Sequence, residues 1–244
     1  MNQAIIYAAI TVGATALGGV LALRSKDRFH LVLGLSAGLL LGLVGFELLP
    51  EIFELNASTA GGIRVVSLAL VGGFLALHII ERLVGSHEPA ESDYGHAHEH
   101  RHVTGTISAV AMAGHIFLDG LGLAVAFKVS TQLGLAVFVA VLVHAFSDGL
   151  NTVSMLIKEK RWTSKSRWLI ALDAVARLAG ATLGSTIALS DSFLSFYLAL
   201  FSGFVIYIAT SHILPEAHSR HQSRWTLVAT VLGVLVMWLV ISAG

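Results

Sequence analysis

The 244-residue chain has no cysteine, three prolines and only 12% charged residues. Without cysteine, disulfides and thiolate metal sites are excluded, and the redox compartment is left open. Soluble domains carry about 25% charged residues, so the shortage of charge excludes a large soluble core and points to an integral membrane protein. Lysine plus arginine and aspartate plus glutamate each number 15, and so balanced a chain offers no basic footprint for nucleic acid. The N-terminus also lacks a basic stretch followed by a small-residue cleavage site. Residues 4–23 therefore read as a retained span and not as a signal peptide.

Apolar residues, at 55%, fill the gap, and mean hydropathy is +0.80. A helix needs about 20 mainly apolar residues to cross the hydrocarbon core. Eight stretches meet that length, near residues 4–23, 30–53, 63–84, 103–127, 134–157, 167–189, 193–216 and 225–243. They lack the period-two alternation of a membrane barrel, so the expected fold is all-α with eight transmembrane helices. Many of the 24 glycines stand four apart, as Gly34 and Gly38 or Gly180 and Gly184 do, a spacing that lets membrane helices approach closely.

Twelve of the 15 basic residues fall in one set of connections, and only Arg64 and Lys128 in the other. The positive-inside rule then places both termini outside and the basic connections in the cytoplasm. Arg177 belongs to neither set, because it lies within a span. The longest connection, GSHEPAESDYGHAHEHRHV (85–103), is polar and carries His87, His96, His98, His100 and His102. It reads either as a solvated linker or as a weak, multivalent metal-collecting tract.

ELLPE (47–51) closes the second span and HILPE (212–216) the seventh. These spans run in opposite senses, which puts Glu51 at the outer mouth and Glu216 at the inner one. Proline removes a backbone donor and loosens the preceding turn. The echo is the pattern of an inverted repeat, spans 1–3 against spans 6–8 around spans 4–5.

Within spans four and five stand HIFLDGLG (115–122) and HAFSDGLN (144–151). Residues four apart lie on one helical face, so His115 shares a face with Asp119, and His144 with Asp148 and Asn151. An ionisable group at the bilayer centre costs about 3 kcal/mol or more. Facing one another, two imidazoles and two carboxylates would form a cage suited to Zn²⁺, Fe²⁺, Mn²⁺, Cd²⁺ or Co²⁺. The alternative is interhelical glue worth about 1 kcal/mol per hydrogen bond, but the duplication of the motif favours metal. Glu47, Asp173 and His212 are candidates for a water-filled path to the cage, or are structural groups near helix ends. His78 and Glu81 are expected to snorkel to the interface.

Eight spans, a histidine-rich connection after the third, and paired H-x-x-x-[DE]-G motifs together resemble the ZIP (Zrt/Irt-like) family of divalent-metal transporters. The resemblance covers essentially the whole chain, including ELLPE and HILPE. It implies one domain over residues 1–244: spans 1–3 in 1–84, the histidine-rich loop in 85–102, spans 4–5 in 103–158 and spans 6–8 in 166–244. It also implies transport toward the cytoplasm by alternating access, with metal on His115, Asp119, His144 and Asp148. The prolines common before the acidic ligands are Leu118 and Ser147 here, so weaker helix kinks are expected. RLAGATLG (177–184) resembles the family's E-P-L-G-A-x-x-G, which puts Arg177 where a bridging glutamate commonly lies and makes a single-metal site the better expectation.

The sequence therefore reads as a multi-pass transporter of a divalent transition metal, zinc first, in the cytoplasmic membrane. The metal is cargo and no prosthetic group is expected. Its partners are divalent ions and the lipid bilayer, with a homodimer left open. The rivals are an intramembrane zinc hydrolase, which needs an open metal position and a general base, and a metal sensor that binds without conducting.

Overall fold

The computed structural model describes residues 3–22, 29–56, 62–84, 101–158, 164–188, 190–220 and 224–243. Among them run α1 (Gln3–Ala22), α2 (Phe29–Leu43), a π-helical turn (Val44–Leu48), α3 (Leu49–Asn56), α4 (Gly62–Val84) and α5 (Arg101–Val129). There follow α6 (Thr131–Lys158), α7 (Ser164–Thr186), α8 (Asp191–Tyr207), a second π-helical turn (Ile208–Ile213), α9 (Leu214–Arg220) and α10 (Arg224–Ser242). The described residues form no strand. Because each π turn continues directly into its flanking helices, these segments make eight uninterrupted rods among the described residues.

Six of the rods contain stretches long and apolar enough to cross a membrane: Gln3–Leu21, His30–Leu55, Arg64–Leu83, Thr131–Gly149, Ser192–His218 and Arg224–Ser242. The rods outside that set are α5 and α7, 29 and 23 residues long, which carry Asp119, Asp173 and Arg177. The outer faces of α4 and α10 are apolar, with Leu68, Leu83, Leu227 and Leu239 more than half exposed. Polar side chains such as Thr11, Ser36, Asp119 and Arg177 are buried instead. A water-soluble fold would not leave such faces bare; hydrocarbon covers them without cost.

The rods pack as two sub-bundles. In one, α1 lies on α6 and α5 on α7; in the other, α10 lies on α2 and α4 on α8. The two meet mainly where α2 crosses α6. Glycine sets the close pairs, because a side chain at Gly38 would strike the Thr230 carbonyl of α10, and one at Gly233 the Leu35 carbonyl of α2. Gly73 and Gly203 are related in the same reciprocal way between α4 and α8.

The expected loosening before each Leu-Pro-Glu takes the form of the two π turns. Leu49 N–H donates to the Val44 carbonyl, and Leu214 N–H to that of Ala209, each five residues back. Widening the turn re-satisfies backbone groups next to a proline that has no N–H of its own. α5 and α6 pass through Leu118 and Ser147 as unbroken α-helix, as the missing prolines led one to expect. Only Ser130 separates these two helices. Its hydroxyl accepts from Leu133 N–H at 2.9 Å and caps the start of α6, so the helices return side by side with their His-Asp faces toward one another.

Candidate metal centre

The turn at Ser130 brings the duplicated motifs together. His115 and Asp119 on α5 and His144 and Asp148 on α6 each offer a ligand atom, and these atoms all lie within 4.8 Å of one another. The two imidazole Nε2 atoms are 3.0 Å apart. His115 Nε2 is 3.7 Å from Asp119 Oδ2, and His144 Nε2 is 3.5 Å from Asp148 Oδ2. Around a tetrahedral ion with bonds of about 2.0–2.2 Å, neighbouring donors stand about 3.3–3.6 Å apart. The cage therefore needs only small side-chain adjustments to close on an ion.

Both carboxylates and the His144 ring are buried, and His115 is half-buried. Asp119 Oδ2, Asp148 Oδ2 and His144 Nδ1 have no hydrogen-bond partner. Buried polar atoms are nearly always paired, and leaving one unpaired costs about 1–3 kcal/mol. Two orphaned carboxylate oxygens converging with two imidazole nitrogens are poor glue. As a receptor for a cation they are well arranged.

The glycine after each aspartate seats a neighbouring helix. A side chain at Gly120 would collide with the Arg177 carbonyl of α7, and one at Gly149 with the Thr15 carbonyl of α1. Arg177 is thereby held beside the cage, with Nη1 3.6 Å from Asp119 Oδ2. Among the described acidic residues, Asp119 is the one in ion-pair range of Arg177. Asp173, one turn earlier on α7, is also buried. It shares with Arg177 a cavity of about 40 Å³, closed on the α1 side by Val12, Thr15 and Ala16.

Glu47, Glu51, His212 and Glu216 do not join the four-ligand group. Glu47 lies in the first π turn, Glu51 in the first turn of α3 and Glu216 in the first turn of α9. The side chain of Asn151 and the histidine-rich tract from residue 85 to 100 lie outside what is described.

Snorkelling does not describe Glu81, which is bound within the protein. Tyr207 O–H donates to Glu81 Oε2, and His212 Nε2 lies 2.8 Å from Glu81 Oε1. His78 Nδ1 is 3.4 Å from the Tyr207 hydroxyl. Sequence reasoning missed this cluster because Tyr207 and His212 are five apart, about 140° around a regular α-helix. The π turn brings their rings to a centroid distance of 5.6 Å. The Pro215 that follows was the available signal.

Residues 84–241 match the family model described as ZIP zinc transporter. The chain belongs to the ZIP family. Among similar proteins, the zinc transporter ZupT of Corynebacterium aurimucosum is 26% identical over 239 residues, covering 92% of this chain and 90% of its own. ZupT of Chlorobium luteolum is 26% identical over 254 residues, with 96% of each chain covered. The zinc transporter ZIP9 of Micropogonias undulatus is 31% identical over 202 residues, spanning 73% of this chain and 64% of its own. This ZIP protein is accordingly a membrane protein of metal-ion transport and not an enzyme, which removes the hydrolase reading. The metal is transported substrate and not a cofactor.

Proposed function

We propose that the chain carries a divalent transition metal, zinc first and Fe²⁺, Mn²⁺, Cd²⁺ or Co²⁺ as rival cargoes, toward the cytoplasm through His115, Asp119, His144 and Asp148. The observation that carries this reading is the convergence of four ligand atoms within 4.8 Å, with the Oδ2 atoms of both aspartates buried and without a hydrogen-bond partner. The ion would exchange water for imidazole nitrogen and carboxylate oxygen, with no covalent step. It binds only deprotonated ligands, and the affinity must stay moderate for it to leave.

In this reading all eight rods cross the bilayer as one domain, with both termini outside and the histidine-rich connection in the cytoplasm. The inverted repeat is supported by packing: α1 on α6 is matched by α7 on α5, and α2 on α10 by α8 on α4. A π turn before each Leu-Pro-Glu repeats the match. Alternating access would move the α1, α5, α6 and α7 sub-bundle, which holds the cage, against the other, and their narrower mutual contact favours this. The exposed apolar faces of α4 and α10 would meet lipid. Glu47 and Asp173 are then polar steps beside the route.

The test is zinc uptake into proteoliposomes, read by an internal dye. Net flux that disappears in His144→Ala supports transport through the cage. Zinc binding without flux favours the sensor, and flux unchanged in well-folded His144→Ala protein refutes the site.

A further inference from the structure

Arg177 is about 1% exposed, the largest of the fully buried side chains among the described residues. A guanidinium stays protonated in proteins, and a buried charge needs a compensating partner. Its nearest recorded partner is Asp119 Oδ2 at 3.6 Å, beyond hydrogen-bonding distance. Neither Nη1 nor Nη2 has a hydrogen-bond partner, and nor does that oxygen. The pair is therefore held by charge alone and not by the two-pronged geometry that locks an arginine in place.

The backbone around it is fixed. Gly120 abuts the Arg177 carbonyl, and Gly180 abuts that of Phe117. Beside it lies a cavity of about 40 Å³, lined by Arg177 and Asp173 among others. That volume exceeds the 10–15 Å³ or so needed for one water, and Asp173 stands one helical turn before Arg177, within reach of its side chain. Asp119 lies on α5, Asp148 on α6 and Asp173 on α7 itself. Once a divalent ion engages Asp119 and Asp148, Asp173 is the carboxylate left to Arg177.

We propose that Arg177 is a tethered counter-ion that holds Asp119 while the cage is empty and passes to Asp173 when the metal arrives. This rests on the reading of His115, Asp119, His144 and Asp148 as the transport site. The empty cage then carries two carboxylates and one guanidinium. An incoming dication must displace the guanidinium from Asp119 and remain beside it, and like charges so placed repel. Binding is weakened and release is hastened. Asp173 acts in the opposite sense, because by receiving the guanidinium it favours the loaded state. Arg177 and Asp173 are affinity-setting residues that never ligate the ion.

The test is calorimetric titration of purified protein in detergent with zinc, comparing wild type, Arg177→Met, Asp173→Asn and the double variant. Arg177→Met is expected to bind at least tenfold tighter, with slower turnover in proteoliposomes. Asp173→Asn is expected to bind several-fold weaker. The double variant should match Arg177→Met, because Asp173 acts through the arginine. A purely structural arginine would not move the two single variants in opposite directions. Unchanged or weaker binding in Arg177→Met overturns the inference, as does unchanged affinity in Asp173→Asn. If Arg177→Met does not fold, Asp173→Asn decides the matter, with Arg177→Lys expected to keep near wild-type affinity because the charge remains. Wild-type binding that is abolished by His144→Ala but indifferent to Arg177→Met refutes the counter-ion alone. Zinc binding absent in wild type, or present in His144→Ala, refutes the transport site and the counter-ion with it.

Discussion

Among the described residues, the clusters around Glu81 and around Asp119 and Asp148 each contain two histidines and at least one carboxylate, and they differ in what their polar atoms already hold. In the cluster of His78, Glu81, Tyr207 and His212, the Glu81 oxygens are taken by a tyrosine hydroxyl and an imidazole. In the cage of His115, Asp119, His144 and Asp148, the Oδ2 atoms of both aspartates have no hydrogen-bond partner. The first cluster is complete as it stands and ties α4 to the rod of α8. The second leaves these oxygens open, as the proposed cation site requires. Residue type alone would not separate them; satisfaction of the carboxylates does.

The sharpest way to break the comparison is to remove a ligand from each cluster. His144→Ala or Asp148→Ala is expected to bring zinc flux down to the background of empty vesicles while the protein still inserts and folds, as checked by size-exclusion profile and thermal melt. Acidification tests the same site more gently. An imidazole ligates only when neutral, so protons and zinc compete for the cage. Zinc uptake should therefore fall as the pH is lowered, and raising the zinc concentration should restore it.

Glu81→Gln sharpens the other side. It replaces an anion whose oxygens are both engaged, so the expected loss is stability, about 1–3 kcal/mol, seen as a lower melting temperature. Zinc affinity at the cage, measured by equilibrium titration, should stay within about twofold, because Glu81 is not among the four ligands. The smallest effect on the transport step is expected from deleting residues 96–102. Metal retention after uptake should change, whereas the initial flux rate should not; a deletion as damaging as Asp119→Ala would put that tract in the pathway.

Much of the cage was legible because its geometry is local. His115 with Asp119, and His144 with Asp148, share faces by helical period alone, and their duplication singled them out. The facing of the two pairs depended on a turn of one residue, Ser130, which the apolar pattern around it did not reveal. The Leu-Pro-Glu echo announced two disturbed helices, and both became π turns. Its consequence for Glu81 was illegible, because a π turn shifts the phase by which His212 finds Tyr207 and their shared carboxylate. Arg177 was conspicuous as a charge within a span, yet three aspartates competed for it. The choice of Asp119 came from Gly120 and Gly180 drawing α7 against α5, a contact between segments far apart in the chain.

The central claim is that two imidazoles and two carboxylates on α5 and α6 hold the cargo. Zinc K-edge absorption on the zinc-loaded, purified protein tests it directly. The account predicts a shell of nitrogen and oxygen at about 2.0–2.2 Å, with the outer-shell scattering of two imidazoles, reduced to at most one in His144→Ala. A spectrum from His144→Ala that matches wild type at the same zinc content would place the metal elsewhere and contradict the account.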